Sequence, residues 1–263
     1  MKNKFDESPF SIACKFGLIN IIKYLVRNGA DLNIKDNDGN TPIIISYNND
    51  LKNNDINFSL TKILYKYGAN ISIRNNNNES ILTILEKNEN SLLKNNIKKI
   101  LNLQRKDGET SLTFSCKIGN IEVIKKLINL GIDVNTENRY GNTPLNIICS
   151  NNNINDDEKL ELIENLIEKG ANINSEDRYG YTPLTIAIHL NNKKLINFLI
   201  NKNVNVTEKS LTIAKTFKTE KILELLSTQK NDESKITLND INDLKKNENY
   251  IKKENNNNNN LKK

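Results

Sequence analysis

The sequence predicts an all-α repeat solenoid in which short helix pairs stack side by side. Three observations predict it: a Ser/Thr-Pro-apolar motif and its variants recur along the chain, all four prolines share one place in the repeat, and all ten glycines share three places. One short helix pair cannot bury its apolar stripe alone, so neighbouring pairs need to stack into a continuous core. A single thick globular core would not require such regular spacing.

The repeat is measured from the Ser or Thr that precedes the proline position, which we call the anchor. The anchors are Ser8, Thr41, Ser80, Thr110, Thr143 and Thr182, with Lys209 in a decayed seventh copy. Their spacings are 33, 39, 30, 33, 39 and 27 residues. We therefore predict one repeat domain over residues 5–227, with units that begin near residues 5, 38, 77, 107, 140, 179 and 206.

The first unit shows why each copy should form two helices. Ser8 can cap the first helix, and Pro9 at the first helical position gives up only an N–H that would be unpaired. Gly17 ends this helix, and apolar residues at helical spacing then mark a second one over residues 21–26. Gly29 follows as a left-handed cap.

Three segments depart from the regular unit. Polar insertions at residues 48–57 and 151–158 predict loops between the helices of their units, either solvated or used in recognition. The seventh unit lacks Pro and Gly and predicts a polar C-terminal cap. Residues 228–263 are rich in Asn and Lys, which predicts disorder, with a weak helix over residues 238–251.

Composition limits the classes of function. The net charge of +6 and the pI near 9.0 allow binding to nucleic acid or anionic surfaces, yet 32 acidic residues are interspersed, which favours a mixed solvated surface. The sequence shows neither an apolar run long enough to span a membrane nor the apolar core of a signal peptide. We expect an intracellular monomer, cytoplasmic or nuclear, without membrane insertion.

The repeated motif carries a family resemblance. The segments Asp-Gly-Asn-Thr-Pro-Ile at 38–43 and Tyr-Gly-Tyr-Thr-Pro-Leu at 179–184, with Gly-Ala-Asp-Leu-Asn at 29–33, resemble the ankyrin repeat. The resemblance implies β-hairpin fingers between units and a concave face of fingers and first helices that docks another protein. The family usually has His three residues after the anchor. This chain has other residues there, which predicts weaker polar contacts between adjacent units. The third unit matches the family pattern least.

Residues capable of catalysis are scarce. The single histidine, His189, has no Ser, Cys or carboxylate arrangement around it in the sequence, and one His cannot complete a His-containing zinc site. Cys14, Cys116 and Cys149 each lie six residues after an anchor, which predicts one buried position of reduced, structural thiols. We expect no enzyme activity, no metal and no cofactor.

Candidate binding residues lie in the fingers. Arg139-Tyr140 and Arg178-Tyr179 repeat one dipeptide in adjacent fingers, and Tyr181 follows the second. Arg and Tyr are enriched in binding hot spots, so these residues are our predicted protein-binding site. The alternative is that the tyrosines and arginines only stack along the fingers.

A second candidate set lies at the first-helix ends. Phe16, Ile118, Leu190 and Phe217 each lie eight residues after an anchor, where they could line a groove for a partner peptide or pack beneath the fingers.

Two further alternatives concern other classes of function. Asn33 and Asn135 lie in the Leu-x5-Asp-apolar-Asn pattern that asparaginyl hydroxylases modify in ankyrin fingers, so the chain could be a hydroxylation substrate. Scattered lysines could instead bind nucleic acid weakly. Docking of another protein, of unknown identity, is the function that we favour from the sequence.

Overall fold

A computed structural model describes residues 3, 7–55 and 58–216, and the chain divides into two compact units, Met1–Asn172 and Ile173–Lys263. The first unit contains ten described helices: α1 Pro9–Lys15, α2 Ile19–Arg27, α3 Pro42–Lys52, α4 Ser59–Tyr67, α5 Ile81–Lys87, α6 Ser91–Leu101, α7 Ser111–Ile118, α8 Ile121–Asn129, α9 Pro144–Ser150 and α10 Asp156–Glu168. The second contains three: α11 Pro183–His189, α12 Lys193–Asn201 and α13 Glu208–Thr216.

The predicted all-α repeat solenoid is confirmed by how these helices pack. Helices pair within repeats, as α1 does with α2 and α7 with α8, and first helices pack on the next first helix, as α1 does on α3. In the first six repeats the residue two places after the anchor is buried. These residues are all at most 4% exposed: Phe10, Ile43, Leu82, Leu112, Leu145 and Leu184.

The β-hairpin form of the fingers is not confirmed. The described residues contain no strand, and the fingers are tight turns instead.

First helices begin at the predicted caps. Ser8 Oγ accepts a bond from the Ser11 N–H at 3.0 Å, and proline occupies the first helical position where the sequence supplies one. In three repeats the residue three places after the anchor, where the family usually has His, is a threonine that closes a capping box. Its hydroxyl accepts the anchor N–H at 2.7 Å at Thr83, Thr113 and Thr185. These threonines thus provide a hydrogen-bond partner for the anchor N–H within the same helix start.

The second repeat lacks this arrangement. Ile44 occupies the position of the capping threonine, and the Thr41 side chain makes no capping bond. Thr41 is 0% exposed, and its Oγ1 has no hydrogen-bond partner among the described residues. This buried hydroxyl therefore contributes no hydrogen bond to the fold.

The prediction that residues 48–57 form a polar loop is wrong for its first half, because α3 continues through Lys52. The added turn buries Asp50, whose carboxylate accepts from the Thr61 N–H at 2.9 Å and the Thr61 hydroxyl at 2.7 Å. Burial raises the pKa of Asp50, and these bonds to Thr61 oppose the increase. The second insertion is a loop only to Asn155, which caps α10.

The three cysteines occupy one buried position, as predicted. Cys14, Cys116 and Cys149 are 0% exposed and are not joined by disulfides. Burial raises the pKa of Cys14 and of Cys149 to about 12, and it raises the pKa of Cys116 as well. Thiols with such pKa values are protonated at neutral pH and serve as small apolar groups.

Several predictions lie outside the described residues. Helix α13 provides the first helix of the predicted seventh unit. The second helix of that unit, Phe217, the tail at 228–263 and the weak helix at 238–251 all fall beyond residue 216.

The two anchors Thr110 and Thr41 give a matched test of capping. Thr110→Val should lower the free energy of unfolding by about 1–2 kcal/mol, because Thr110 Oγ1 accepts the Thr113 N–H at 3.2 Å. Thr41→Val removes a hydroxyl without a partner and should change stability by less than about 0.5 kcal/mol. Urea unfolding followed by circular dichroism measures both. Equal losses in the two variants would contradict this assignment.

The cysteine layer predicts slow thiol chemistry. A pKa of about 12 leaves roughly one thiol in ten thousand ionised at pH 8, so a thiolate-specific reagent should modify the native protein very slowly. The same reagent should modify all three cysteines at once in denaturant. Rapid modification of one or more thiols per native molecule would show that the buried cysteines are accessible to solvent.

Candidate functional site

Five turns, which we call the first to fifth fingers, connect successive repeats; they span residues 36–40, 75–79, 105–109, 138–142 and 177–181. In each, the N–H of position one donates to the carbonyl of position five at 2.8–3.1 Å, and the N–H of position four donates to the carbonyl of position one at 2.9–3.0 Å. Position four is Gly or Asn with positive φ, and Asn78 at +62° replaces glycine in the second finger. All five fingers therefore share one backbone geometry.

A side-chain acceptor at position one holds four of the fingers. Its Oδ1 accepts the N–H groups of positions three and five at 2.8–3.1 Å, in the manner of an Asx turn. The four residues are Asp36, Asn75, Asn138 and Asp177. This acceptor fixes where the side chains of positions two and three emerge.

The third finger lacks that acceptor, because Arg105 occupies position one. Asp107 takes over part of its role: its Oδ1 accepts the Glu109 N–H at 3.1 Å, and its Oδ2 accepts from Arg105 Nη2 at 2.7 Å. The Arg105 side chain is only 9% exposed. Sequence reasoning missed this residue, although a cation at a position otherwise occupied by Asp or Asn was a readable signal.

Neighbouring fingers are joined through their backbones. The Asn76 N–H donates to Asp38 O at 2.9 Å, and the Arg139 N–H donates to Gly108 O at 2.8 Å. The equivalent N–H in the third finger, that of Lys106, donates instead to Lys66 O at 2.8 Å, near the end of α4. The third finger, which follows the least regular repeat, thus lies against α4.

The fourth finger presents Arg139 and Tyr140 to solvent. Tyr140 is 47% exposed, and the Arg139 guanidinium carbon lies 6.0 Å from the centroid of the Tyr140 ring. That distance is the outer limit of a cation–π contact, so the guanidinium group covers little of the ring. Arg139 Nη2 also donates to Lys106 O at 3.4 Å, a long bond.

The fifth finger, in the second unit, presents the equivalent pair. Tyr179 is 67% exposed and Arg178 is exposed, whereas Tyr181 is half-buried. Lys209 Nζ lies 4.4 Å from the centroid of the Tyr181 ring and also donates to the Tyr179 carbonyl. The lysine covers part of Tyr181, which leaves Tyr179 as the more accessible ring.

The apolar residues at the first-helix ends are exposed rather than packed beneath the fingers. Phe16 is 67%, Ile118 51% and Leu190 38% exposed, while Phe217 lies outside the described residues. At the same repeat position, two other units have Asn49 and Asn151.

These two asparagines interrupt the apolar series. Asn49 Nδ2 donates to Lys15 O at 2.6 Å, and Asn151 Nδ2 donates to Cys116 O at 2.7 Å. Each asparagine thus caps the preceding first helix, so Phe16 and Ile118 are separate exposed residues and not parts of one apolar stripe.

Asn33 and Asn135, the candidate hydroxylation residues, hold successive repeats together. Asn33 Oδ1 accepts the Asn70 N–H at 3.0 Å, and Asn135 Oδ1 accepts the Asn172 N–H at 2.8 Å. The Asn135 amide also donates to Gly170 O at 2.9 Å. Their presence in the repeat has this structural reason, independent of any modification.

Candidate metal ligands do not cluster in the described part of the chain. No group of three His, Cys, Asp or Glu residues there could hold a metal ion. His189 is exposed at the end of α11. Nor does any described helix have the length and apolar character needed to cross a membrane.

Comparison with known families decides the classification. A model described as "Ankyrin repeats (3 copies)" matches residues 71–156 and 154–240, and one described as "Ankyrin repeats (many copies)" matches residues 1–46. The chain belongs to the ankyrin-repeat family. Ankyrin repeats are generally protein–protein interaction modules and are typically non-enzymatic.

Comparison with individual proteins adds little. No curated protein matches the chain. Among solved structures, this ankyrin-repeat chain is similar to an ankyrin repeat domain from Acinetobacter baumannii AYE, with 22% identity and a TM-score of 0.41. That match covers 75% of this chain and 98% of the other.

The joint between the third and fourth fingers can be tested at Gly108. A Cβ there would lie 2.7 Å from Arg139 Cβ, and the residue has φ +83°. Gly108→Ala should therefore cost about 2–3 kcal/mol of unfolding free energy, from left-handed strain plus displacement of the fourth finger.

Gly29→Ala is the control, because Gly29 has φ +80° but nothing within 4 Å of a Cβ. Strain alone should cost about 1–2 kcal/mol there. Denaturant unfolding compares the two variants, and a Gly108→Ala loss no larger than that of Gly29→Ala would argue against the close approach of the fingers.

Proposed function

We propose that this ankyrin-repeat chain is a non-enzymatic interaction module that binds another protein through its fingers. In the first unit the main contact residues are Arg139 and Tyr140, and in the second unit they are Arg178 and Tyr179. The observation that carries the proposal is the exposure of both tyrosine rings, 47% and 67%, on backbones that are already fixed.

Pre-organisation is the physical reason that these residues suit binding. The Tyr140 N–H donates to Asn138 Oδ1 and the Tyr179 N–H to Asp177 Oδ1, both at 2.9 Å. A partner would therefore order only side chains, which lowers the entropic cost of association. Tyr supplies a large amphipathic surface and Arg supplies several N–H donors, so the partner should offer a flat apolar patch beside hydrogen-bond acceptors.

The first and second fingers lack the residue types that we propose for binding. Positions two and three hold Asn37 and Asp38 in the first finger, and Asn76 and Asn77 in the second. Those residues share the backbone geometry of the turn but offer neither an aromatic ring nor a guanidinium group. Binding should therefore depend on the fourth and fifth fingers, with Tyr181 at the edge and Phe16, Ile118 and Leu190 contributing less.

Affinity capture with matched variants tests the proposal. Replacing Arg139, Tyr140, Arg178 and Tyr179 together by Ala should remove the captured partner, since hot-spot residues each contribute about 2 kcal/mol or more, roughly 30-fold in affinity. Asn37→Ala with Asp38→Ala changes the same two turn positions in the first finger and should leave capture unchanged. Undiminished capture by the fourfold variant would refute the placement.

Two measurements separate this function from the alternatives. Binding to nucleic acid through lysines would weaken steeply and linearly in log salt, whereas an interface anchored by aromatic residues should respond weakly. Hydroxylation would add one oxygen atom to Asn33 or Asn135, which mass spectrometry of protein from its native source detects. That modification is compatible with partner binding but does not require the Arg-Tyr pairs.

A further inference from the structure

The first unit contains a cavity whose lining includes none of the Arg-Tyr residues of the fingers. It has a volume of about 180 Å³ and lies between the third finger, the loop after α4, and helices α7 and α8. Polar and apolar side chains both line it, among them Arg105, Ser111 and Phe114. It forms where the third finger lies against the end of α4.

Arg105 is the central group of this cavity. Its side chain is 91% buried and lies over the Phe114 ring, with the guanidinium carbon 4.3 Å from the ring centroid. Asp107 accepts from Nη2, but the buried Nε–H has no hydrogen-bond partner among the described residues. A buried guanidinium donor without an acceptor is costly, so this atom favours an occupant that accepts a hydrogen bond.

The polar groups around Arg105 point to the same kind of occupant. Ser111 is 2% exposed, and its Oγ interacts with the Tyr65 side chain without forming a hydrogen bond of ordinary geometry in the described part of the chain. Asn33, Asn70 and Asn120 also line the cavity, and the amide oxygen of each already accepts a backbone N–H. Each of these amides therefore has mainly N–H donors to offer a ligand.

The charge of the cavity lining favours an anionic ligand over a neutral hydrogen-bond acceptor. Arg105 is the single charged residue among the described residues that line the cavity. Its acidic partner, Asp107, is 43% exposed and does not belong to the lining. An anion that enters would meet a buried cation, several donors and no carboxylate.

The remaining wall is apolar. Ile71, Phe114 and Val123 line the cavity, and Ile118 lines it as a residue that is 51% exposed. A fully hydrated inorganic anion would gain nothing from these side chains. A carboxylate on a short apolar or aromatic stem would bind the polar groups through its oxygens and pack its stem against the apolar side chains.

We propose that this cavity is a binding site for a carboxylate carried on a short apolar stem, with Arg105 Nε and Ser111 Oγ as hydrogen-bond donors. Its volume of about 180 Å³ slightly exceeds the roughly 150 Å³ of an apolar cavity that admits benzene. A molecule of the size of benzoate fits this space. Either a free small acid or an acidic side chain of a bound protein supplies the chemistry.

Nuclear magnetic resonance titration of the ¹⁵N-labelled full chain tests the site. The probes are benzoate, its neutral counterpart benzamide, and glutamate blocked at both ends as a stand-in for a protein side chain. Benzoate should shift the amide signals of residues 68–72 and of Ser111, while benzamide should bind at least ten-fold more weakly.

Arg105→Asn is the decisive variant, because it restores the acceptor that the other four fingers have at this position and should therefore fold. It should weaken benzoate binding by roughly 10- to 100-fold, the effect of losing a charged hydrogen bond. Ser111→Ala should weaken benzoate binding without lowering thermal stability, since it removes a hydroxyl that forms no hydrogen bond of ordinary geometry. Arg27→Gln removes one exposed positive charge elsewhere in the unit and should bind as wild type does.

Each outcome is informative. Binding of benzoate alone supports a free acid as the natural ligand, and binding of blocked glutamate, with or without benzoate, supports an acidic side chain of a partner. The proposal is overturned if neither probe binds, which would indicate a cavity filled with water, or if benzamide or Arg105→Asn binds like benzoate and wild type. None of these results depends on the Arg-Tyr fingers, so the two proposals can fail separately.

Discussion

The apolar face of each short helix pair can be buried only by the neighbouring pair, and every regular feature of this chain serves that contact. In both compact units the residue two places after the anchor is buried, as Phe10 is in the first repeat and Leu184 is in the sixth. In three repeats the capping threonine accepts the anchor N–H, which pairs this backbone group at the helix start. Asn33 and Asn135 then join the loops of successive repeats.

The fingers separate structural residues from residues that are free to bind. In four of the five fingers position one contributes a side-chain acceptor, and in all five position four is a left-handed residue. The side chains of positions two and three are not needed to hold the turn in those four fingers, whereas in the third finger Asp107 at position three helps to hold it. These positions hold Arg-Tyr pairs in the fourth and fifth fingers and Asn or Asp residues in the first and second, so one turn geometry accommodates different exposed side chains.

In the third finger, position one holds Arg105 in place of the Asp or Asn that accepts backbone N–H groups in the other fingers. A guanidinium cannot accept the two backbone N–H groups, so Asp107 substitutes for one of these bonds and Arg105 turns inward over Phe114. The third finger lies against α4, and a cavity with polar and apolar walls results. Local loss of one acceptor thus creates a buried cation with an unused donor, which is a chemical reason for a ligand.

The sequence by itself determined the family, the repeat spacing, the helix starts and the common burial of Cys14, Cys116 and Cys149, because each depends on local chemistry that recurs at a fixed interval. It also placed Tyr140 and Tyr179 on fingers. Only the tertiary structure decided that α3 extends to bury Asp50, that Asn49 and Asn151 interrupt the apolar series, and that Arg105 faces a cavity. Those outcomes depend on contacts between residues about ten to forty positions apart, which a repeating motif does not encode.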